Sequence, residues 1–286
     1  MKRSGRQRKQ PFDKLPHESL HVWIMAEQAY CEKRVALWLE NPSTDRISLP
    51  PEPEEKTGSP QIIPQQIERE GSIKRGTAFH LKVERSAIPI SLPQAEKMIE
   101  KGKSFCMPEY SLTGSYRNLP IMGRADAVCF HGRRASCVVE IKVTDSRELH
   151  PDHEAQLRLY GYLLEQNGFD INDLILCCVF IPTRHAQAIP TPKTLSTIWE
   201  NAEKLISSPK WWGKIQLRRG IEAKLRVFKY KPQKAREELD FWTQFWLGER
   251  PAKPTKKPQK CASCLYNAVK RCPDALVPFH SKESTE

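Results

Sequence analysis

Glu140 and Lys142 interrupt an apolar stretch, Cys137 to Val143, that otherwise has the composition of a buried strand. Successive side chains on a strand alternate faces, so these two charges share one face while Val139, Ile141 and Val143 share the other. The segment before it, "IMGRADAVCF", turns at "HGRR" and returns as the charged strand. With the hairpin centred on Arg133, Asp126 and Glu140 are each seven residues from the centre. They then stand opposite one another with Cβ atoms about 5 Å apart. Half-buried carboxylates at that distance repel, and either proton uptake or a bound cation relieves the repulsion. A hard, oxygen-seeking ion such as Mg²⁺ or Mn²⁺ is the natural occupant. Lys142, on the same face, is placed to touch an attacking water or the group under attack. The same three residues also fit a structural Glu140–Lys142 pair beside a turn-proximal Asp126.

Two further spacings bear on the choice. Gly76 lies one helical turn before His80, so a small residue clears space beside an imidazole that can serve as a third metal ligand. Gln156 and Tyr160, four residues apart, share one face of the helix expected after the charged strand and can donate hydrogen bonds to a phosphate or base. Each of these alone is equally ordinary helix. The nine cysteines divide into two groups. Cys106, Cys129, Cys137, Cys177 and Cys178 lie in apolar or strand-like contexts and read as small buried thiols, not disulfides. Cys261, Cys264 and Cys272 crowd into "CASCLYNAVKRCP", where a closed soft-metal site needs a fourth ligand. After Cys272 only His280 remains, in a polar tail, so Cys31 in "AYCEKRVALW" is the better candidate. That choice ties the amino-terminal helix to the carboxy-terminal segment, and four thiolates suit either zinc or an iron–sulfur cluster.

These residues need an α/β scaffold. Residues 1–16 form a basic tail, and helical spacing over His17–Glu40 carries Cys31. A Pro/Glu-rich loop fills 41–64, completing a 17–64 segment, and a helix is expected over about 65–85. Strands follow near 105–116, 121–130 and 135–143, then a helix over 151–167, a strand over 174–181 and a helix over about 192–207. "KIQLRR" and "AKLRVFKY" are two further strands, before a helix through "AREELDFWTQFWLG". Residues 250–286 supply a Pro/Lys linker, the cysteine segment and a tail. The order α–β–β–β–α–β–α implies a mixed sheet with helices on both faces. Forty-six Lys and Arg against 34 acids give a net charge of +12, which favours a polyanionic partner. The longest apolar run, Leu174 to Pro182, is too short to span a membrane, and no apolar segment follows the basic start, so the expected location is the cytoplasm. Basic strands and the aromatics Trp211, Trp212, Trp242, Phe245 and Trp246 suit either a single-strand groove or helix packing.

The ordered set Gly76-xxx-His80, Gly123-Arg124-Ala125-Asp126, Glu140-Ile141-Lys142 and Gln156-xxx-Tyr160 resembles the RecB-type branch of the PD-(D/E)xK nucleases over roughly residues 70–165. An alanine precedes Asp126 where the superfamily motif has proline. The resemblance implies a restriction-endonuclease-like core over 65–249. It implies that His80, Asp126, Glu140 and the Ile141 carbonyl hold Mg²⁺ or Mn²⁺, that Lys142 orients the water, and that Gln156 and Tyr160 contact DNA. RecB-like nucleases with this cysteine order carry a [4Fe–4S] cluster, here on Cys31, Cys261, Cys264 and Cys272, with zinc as the alternative. Stand-alone CRISPR-associated exonucleases are the most similar in size and order of parts. They imply an exonuclease that trims single-stranded DNA or overhangs before spacer integration, beside integrase subunits. The rival expectations are a repair or recombination nuclease beside a separate helicase, since no GxxxxGK[ST] loop occurs here, and a non-catalytic DNA-binding module.

Overall fold

The computed structural model describes residues 10–40, 92–146, 148–185, 191–217, 220–262 and 264–278. The expected loop over 41–64, the helix over about 65–85 with Gly76 and His80, and His280 lie outside the described residues.

Seven strands form one mixed sheet. In chain order the elements are β1 (Leu20–His21), α1 (Val22–Glu40), α2 (Leu92–Glu100), β2 (Ser104–Tyr116), β3 (Leu119–His131), β4 (Arg134–Val143), α3 (Pro151–Gln166), β5 (Ile175–Ile181), α4 (Pro192–Ile206), β6 (Trp212–Leu217), β7 (Ile221–Lys229), α5 (Pro232–Trp246), and the short α6 (Pro258–Ala262) and α7 (Leu265–Ala268). β2, β3 and β4 form an antiparallel meander; β4 pairs in parallel with β5, and β7 and β6 extend the sheet antiparallel beyond it. β3 is flanked along its length by β2. Its other edge meets β1 at Ile121–Met122 and β4 only from Ala127 onward.

Alternation along the strands builds two cores. Val138, Leu176, Cys178 and Phe180 pack with α1, α3 and α5, whereas Val139, Ile141, Cys177 and Val179 pack against Leu195, Ile198 and Ala202 of α4. β4 and β5 are covered on both sides, which explains their near-continuous apolar sequence. Burying each such aliphatic side chain contributes about 1.5–3 kcal/mol. The helices covering them start on local signals. Pro192 opens α4 after Thr191, whose hydroxyl accepts from the Thr194 N–H at 3.2 Å. At α3, Pro151 takes the first position, and His150 and His153 cap each other's backbone reciprocally, with Asp152 and Glu154 in the positive first turn.

Helix α2 and the two-residue β1 join the elements expected from sequence. One reading needs correction: Cys106 and Cys129 are not separate thiols. They are direct partners in the β2–β3 register, with Cα atoms 3.9 Å apart, and their sulfurs are bonded. Cys137 is the partner of Cys129 on β4, so three cysteines line up across three strands. Among the described residues no helix is long and apolar enough to cross a membrane.

Candidate active site at the strand fork and the cysteine clasp

The β3–β4 ladder stops at Ala127↔Val139, and the two strands then diverge. Beyond this point β4 continues to pair with β5 on its other edge, through Glu140↔Cys178 and Lys142↔Phe180. The divergence leaves a fork whose floor is the end of the ladder. A backbone N–H at such a place loses its ladder partner and must find another. Asp126 supplies it: its Oδ2 accepts the Ile141 N–H at 2.5 Å. In a strand the N–H and C=O of one residue point to the same edge, so the Ile141 carbonyl also faces the fork.

Asp126 and Glu140 are both buried, at 7% and 3% exposure. Lys142 Nζ donates to Glu140 Oε1 at 2.7 Å and to Gln156 Oε1 at 3.2 Å. Burial works to lower the Lys142 pKa, but the Glu140 carboxylate, its hydrogen bond and the nearby Asp126 outweigh it and hold the ammonium protonated well above its ordinary range. Gln156 Nε2 passes the chain on to the Tyr160 hydroxyl at 3.1 Å, and that hydroxyl donates to the Arg124 carbonyl at 2.8 Å. Burial, then the fields of Glu140 and Asp126, push the Tyr160 phenol far up, so it remains a neutral donor. A continuous hydrogen-bond chain therefore runs from Glu140 through Lys142, Gln156 and Tyr160 to the backbone of β3, holding both arms of the fork at a fixed separation. Gln156 and Tyr160, expected to face DNA, are in this structure bonded to the protein.

Gly123 makes the approach of α1 possible. A Cβ there would stand 2.6 Å from Val22 Cγ2 and 2.9 Å from Tyr160 Cε1. Sequence reasoning missed Glu109. In the β2–β3 register it falls between Pro108↔Ala127 and Tyr110↔Ala125, hence beside Asp126, with a left-handed φ of 50°. Its carboxylate pairs with Arg124 Nε at 2.9 Å. A positive φ in a non-glycine residue beside a buried acid marks a position that the surroundings over-determine. His153, also missed, lies against Phe180 and near Lys142; burial, then the Lys142 charge, lower its pKa to about 4.

The second site joins chain ends. Helix α1 is interrupted at Cys31, whose φ of −165° and ψ of 107° are extended instead of helical. Around that interruption the carboxy-terminal segment is fastened. The Lys33 N–H donates to the Lys253 carbonyl at 3.2 Å, Lys33 Nζ pairs with Asp274 at 3.0 Å, and Lys260 Nζ bonds the Tyr30 carbonyl at 3.0 Å while lying over the Tyr30 ring. The buried Glu32 receives the Arg250 guanidinium at both carboxylate oxygens and the Lys253 N–H at 2.9 Å. Asn267 fixes the cysteine segment, donating to the Cys261 carbonyl at 2.8 Å and the Val277 carbonyl at 2.7 Å. Cys31, Cys261, Cys264 and Cys272 all line one cavity. Burial raises the Cys272 pKa, against a backbone hydrogen bond from Asp274 and with smaller contributions from the nearby Cys264 and Cys31.

Both donor sets fit the groups expected of them: two buried carboxylates beside an ammonium suit a hard divalent cation, and four thiols around one cavity suit a soft metal or cluster. Among the described residues no three His, Cys, Asp or Glu side chains are drawn to ion-binding separation. No family model and no curated protein matches the chain. A solved structure described as the crystal structure of SSO0001 aligns over 93% of this chain and 94% of that chain, at 14% sequence identity and a TM-score of 0.45.

Proposed function

We propose that this protein is a Mg²⁺- or Mn²⁺-dependent deoxyribonuclease of the RecB-like PD-(D/E)xK type, acting on single-stranded DNA or overhangs. The observation that carries the reading is the fork: two buried acids from separate strands, a backbone carbonyl and a charged lysine converge where the sheet opens. Asp126, Glu140 and the Ile141 carbonyl, with His80, would hold the cation, which would polarise the phosphodiester and lower the pKa of a water. Lys142, kept protonated by Glu140, steadies the attacking water and the negative charge that develops on the phosphate oxygens. Gln156 and Tyr160 fix the Lys142 ammonium and the β3 arm, so the constellation is set before substrate arrives. The basic balance of the chain supports a polyanionic substrate.

Cys31, Cys261, Cys264 and Cys272 hold a [4Fe–4S] cluster in the clasp, with zinc as the alternative; the group's role there is to join α1 to the carboxy-terminal segment. The physiological setting proposed is trimming of DNA fragments before spacer integration, with CRISPR integrase subunits as partners. The test is cleavage of an end-labelled oligonucleotide by anaerobically purified protein with Mn²⁺, Mg²⁺ or EDTA. Ion-dependent shortening that Glu140→Gln abolishes supports the reading; shortening that survives Glu140→Gln, or none with either ion, overturns it.

A further inference from the structure

The strand register continues past the fork in two rows on one face. Directly paired residues project to the same face of a sheet. Glu140 pairs with Cys178, Cys178 with Arg226 and Arg226 with Trp212. In the adjoining row Lys142 pairs with Phe180, Phe180 with Lys224 and Lys224 with Lys214. The face that bears the acid–lysine centre therefore carries, two and three strands further on, a patch of three cations and an indole. At about 4.8 Å per strand, Lys224 and Arg226 lie roughly 10 Å from β4.

The patch has the composition of a nucleic-acid surface. Trp212 is 40% exposed, with Lys224 Nζ 5.2 Å and the Arg226 guanidinium 5.8 Å from its ring centroid. Arg226 Nε is buried with no hydrogen-bond partner among the described residues. Lys214 is half-exposed and is offset in part by Glu222 at 3.0 Å. The reverse face of the same strands is closed by α4, which packs Leu205 against Gly213 and holds Ala223, Leu225 and Val227 in the second core. Trp242, Phe245 and Trp246, by contrast, are buried in the first core. Between this patch and β4 the rows pass through Cys178 and Phe180, which are buried in the first core, so the patch is separated from the acid–lysine centre by the covered β5. An exposed indole flanked by cations suits a chain with both bases to stack and phosphates to neutralise.

We propose that the β6–β7 face formed by Trp212, Lys224 and Arg226 is a track for single-stranded DNA that leads toward the fork past the covered β5, a base stacking on Trp212 and the backbone following the two cations. The proposal rests on the nuclease reading for its direction but not for its binding. It is tested by fluorescence anisotropy with labelled oligothymidylate in EDTA, where no cleavage intervenes, for the wild type, Trp212→Ala and Lys224→Gln. Each substitution should weaken single-strand binding roughly tenfold. Lys224→Gln should also lower the slope of log affinity against log salt by about 0.7. Neither should change the affinity for blunt duplex by the same factor. Photocrosslinking of wild-type protein with iodouracil-containing oligonucleotide should mark Trp212, which keeps the test informative if a variant misfolds. Unchanged single-strand affinity with crosslinks elsewhere, or an equal loss on blunt duplex, overturns the track even where Mn²⁺-dependent cleavage is intact. Binding that depends on Trp212 in a protein that cuts nothing leaves the track standing and removes the nuclease reading.

Discussion

The fork and the clasp both gather polar side chains, by opposite means. At the fork, Asp126, Ile141 and Glu140 come from two consecutive strands of a hairpin, and the apolar cores on either side of β4 fix their positions. Asp126 bonds Ile141, and the Glu140–Lys142–Gln156–Tyr160 chain is bonded within the protein, so its geometry is held by the sheet. At the clasp, Cys31 and Cys261–Cys272 are separated by most of the chain, and the contacts between the two segments include an exposed ion pair and a linker carbonyl. Screening leaves an exposed ion pair such as Lys33–Asp274 worth at most about 1 kcal/mol. The comparison teaches that a site on adjacent strands costs little to assemble, whereas one between chain ends relies on whatever binds there.

If that difference is real, the largest effect belongs to the clasp. Cys261→Ser combined with Cys264→Ser should remove the absorbance of the proposed iron–sulfur cluster and lower the thermal midpoint, followed by circular dichroism without oxygen, by about 10 °C or more. An unchanged midpoint would mean that the clasp holds through Glu32 and its partners alone. The fork should respond the other way. Asp126→Asn should reduce ion-dependent cleavage about 10²- to 10³-fold yet leave the melting curve nearly in place, because the amide oxygen still accepts from Ile141. A large loss of stability in this variant would show that the acid is structural.

The third effect is a pH dependence at the rim of the fork. His153 has a folded pKa near 4, below its unfolded value, so the unfolded chain takes up the proton first as pH falls. Stability is complete above the unfolded value near 6.5 and declines between about 6.5 and 4, by on the order of 3 kcal/mol. Urea titrations of His153→Gln, which keeps an acceptor at the capping position, should show a flatter profile through that window. An identical slope would mean that another group drives the decline. Smallest is Gly123→Ala, whose methyl group meets Val22 and Tyr160; overpacking should cost about 1–3 kcal/mol in the same urea assay. Since α1 carries Cys31, a change in the absorbance of the proposed cluster in this variant would reveal that the two sites are mechanically joined.

The fork's residues were legible because a strand buried on both faces makes any charge stand out, and Glu140 and Lys142 do. The register was also recoverable, for a reason the letters hide. The turn proper is Gly132–Arg133, with His131 opposite Arg134, which by itself would set Asp126 opposite Val139. A bulge on β4, where Ser136 is skipped between Ala135 and Cys137, restores the centre to Arg133 and sends Asp126 toward Glu140. The Cys106–Cys129 bond was not legible, because it depends on the joint register of two long strands and not on the local context of either thiol. Trp212 and Trp246 are the same residue in similarly basic or aromatic surroundings. Only the pairing of β6 at the sheet's outer edge leaves one in solvent, while α5 turns the other inward. Glu109 gave no signal, since a left-handed turn within a strand follows from the neighbours it must fit.

The fastening of α1 to the carboxy-terminal segment has a consequence for biosynthesis. A ribosome releases Cys31, Glu32 and Lys33 about 240 residues before Cys272. For that whole interval the amino-terminal helix can pack on the sheet and α3 but lacks its carboxy-terminal partners. Completion of the ring is therefore the last event of maturation, so a truncated or stalled product would have the fork's strands yet never be sealed.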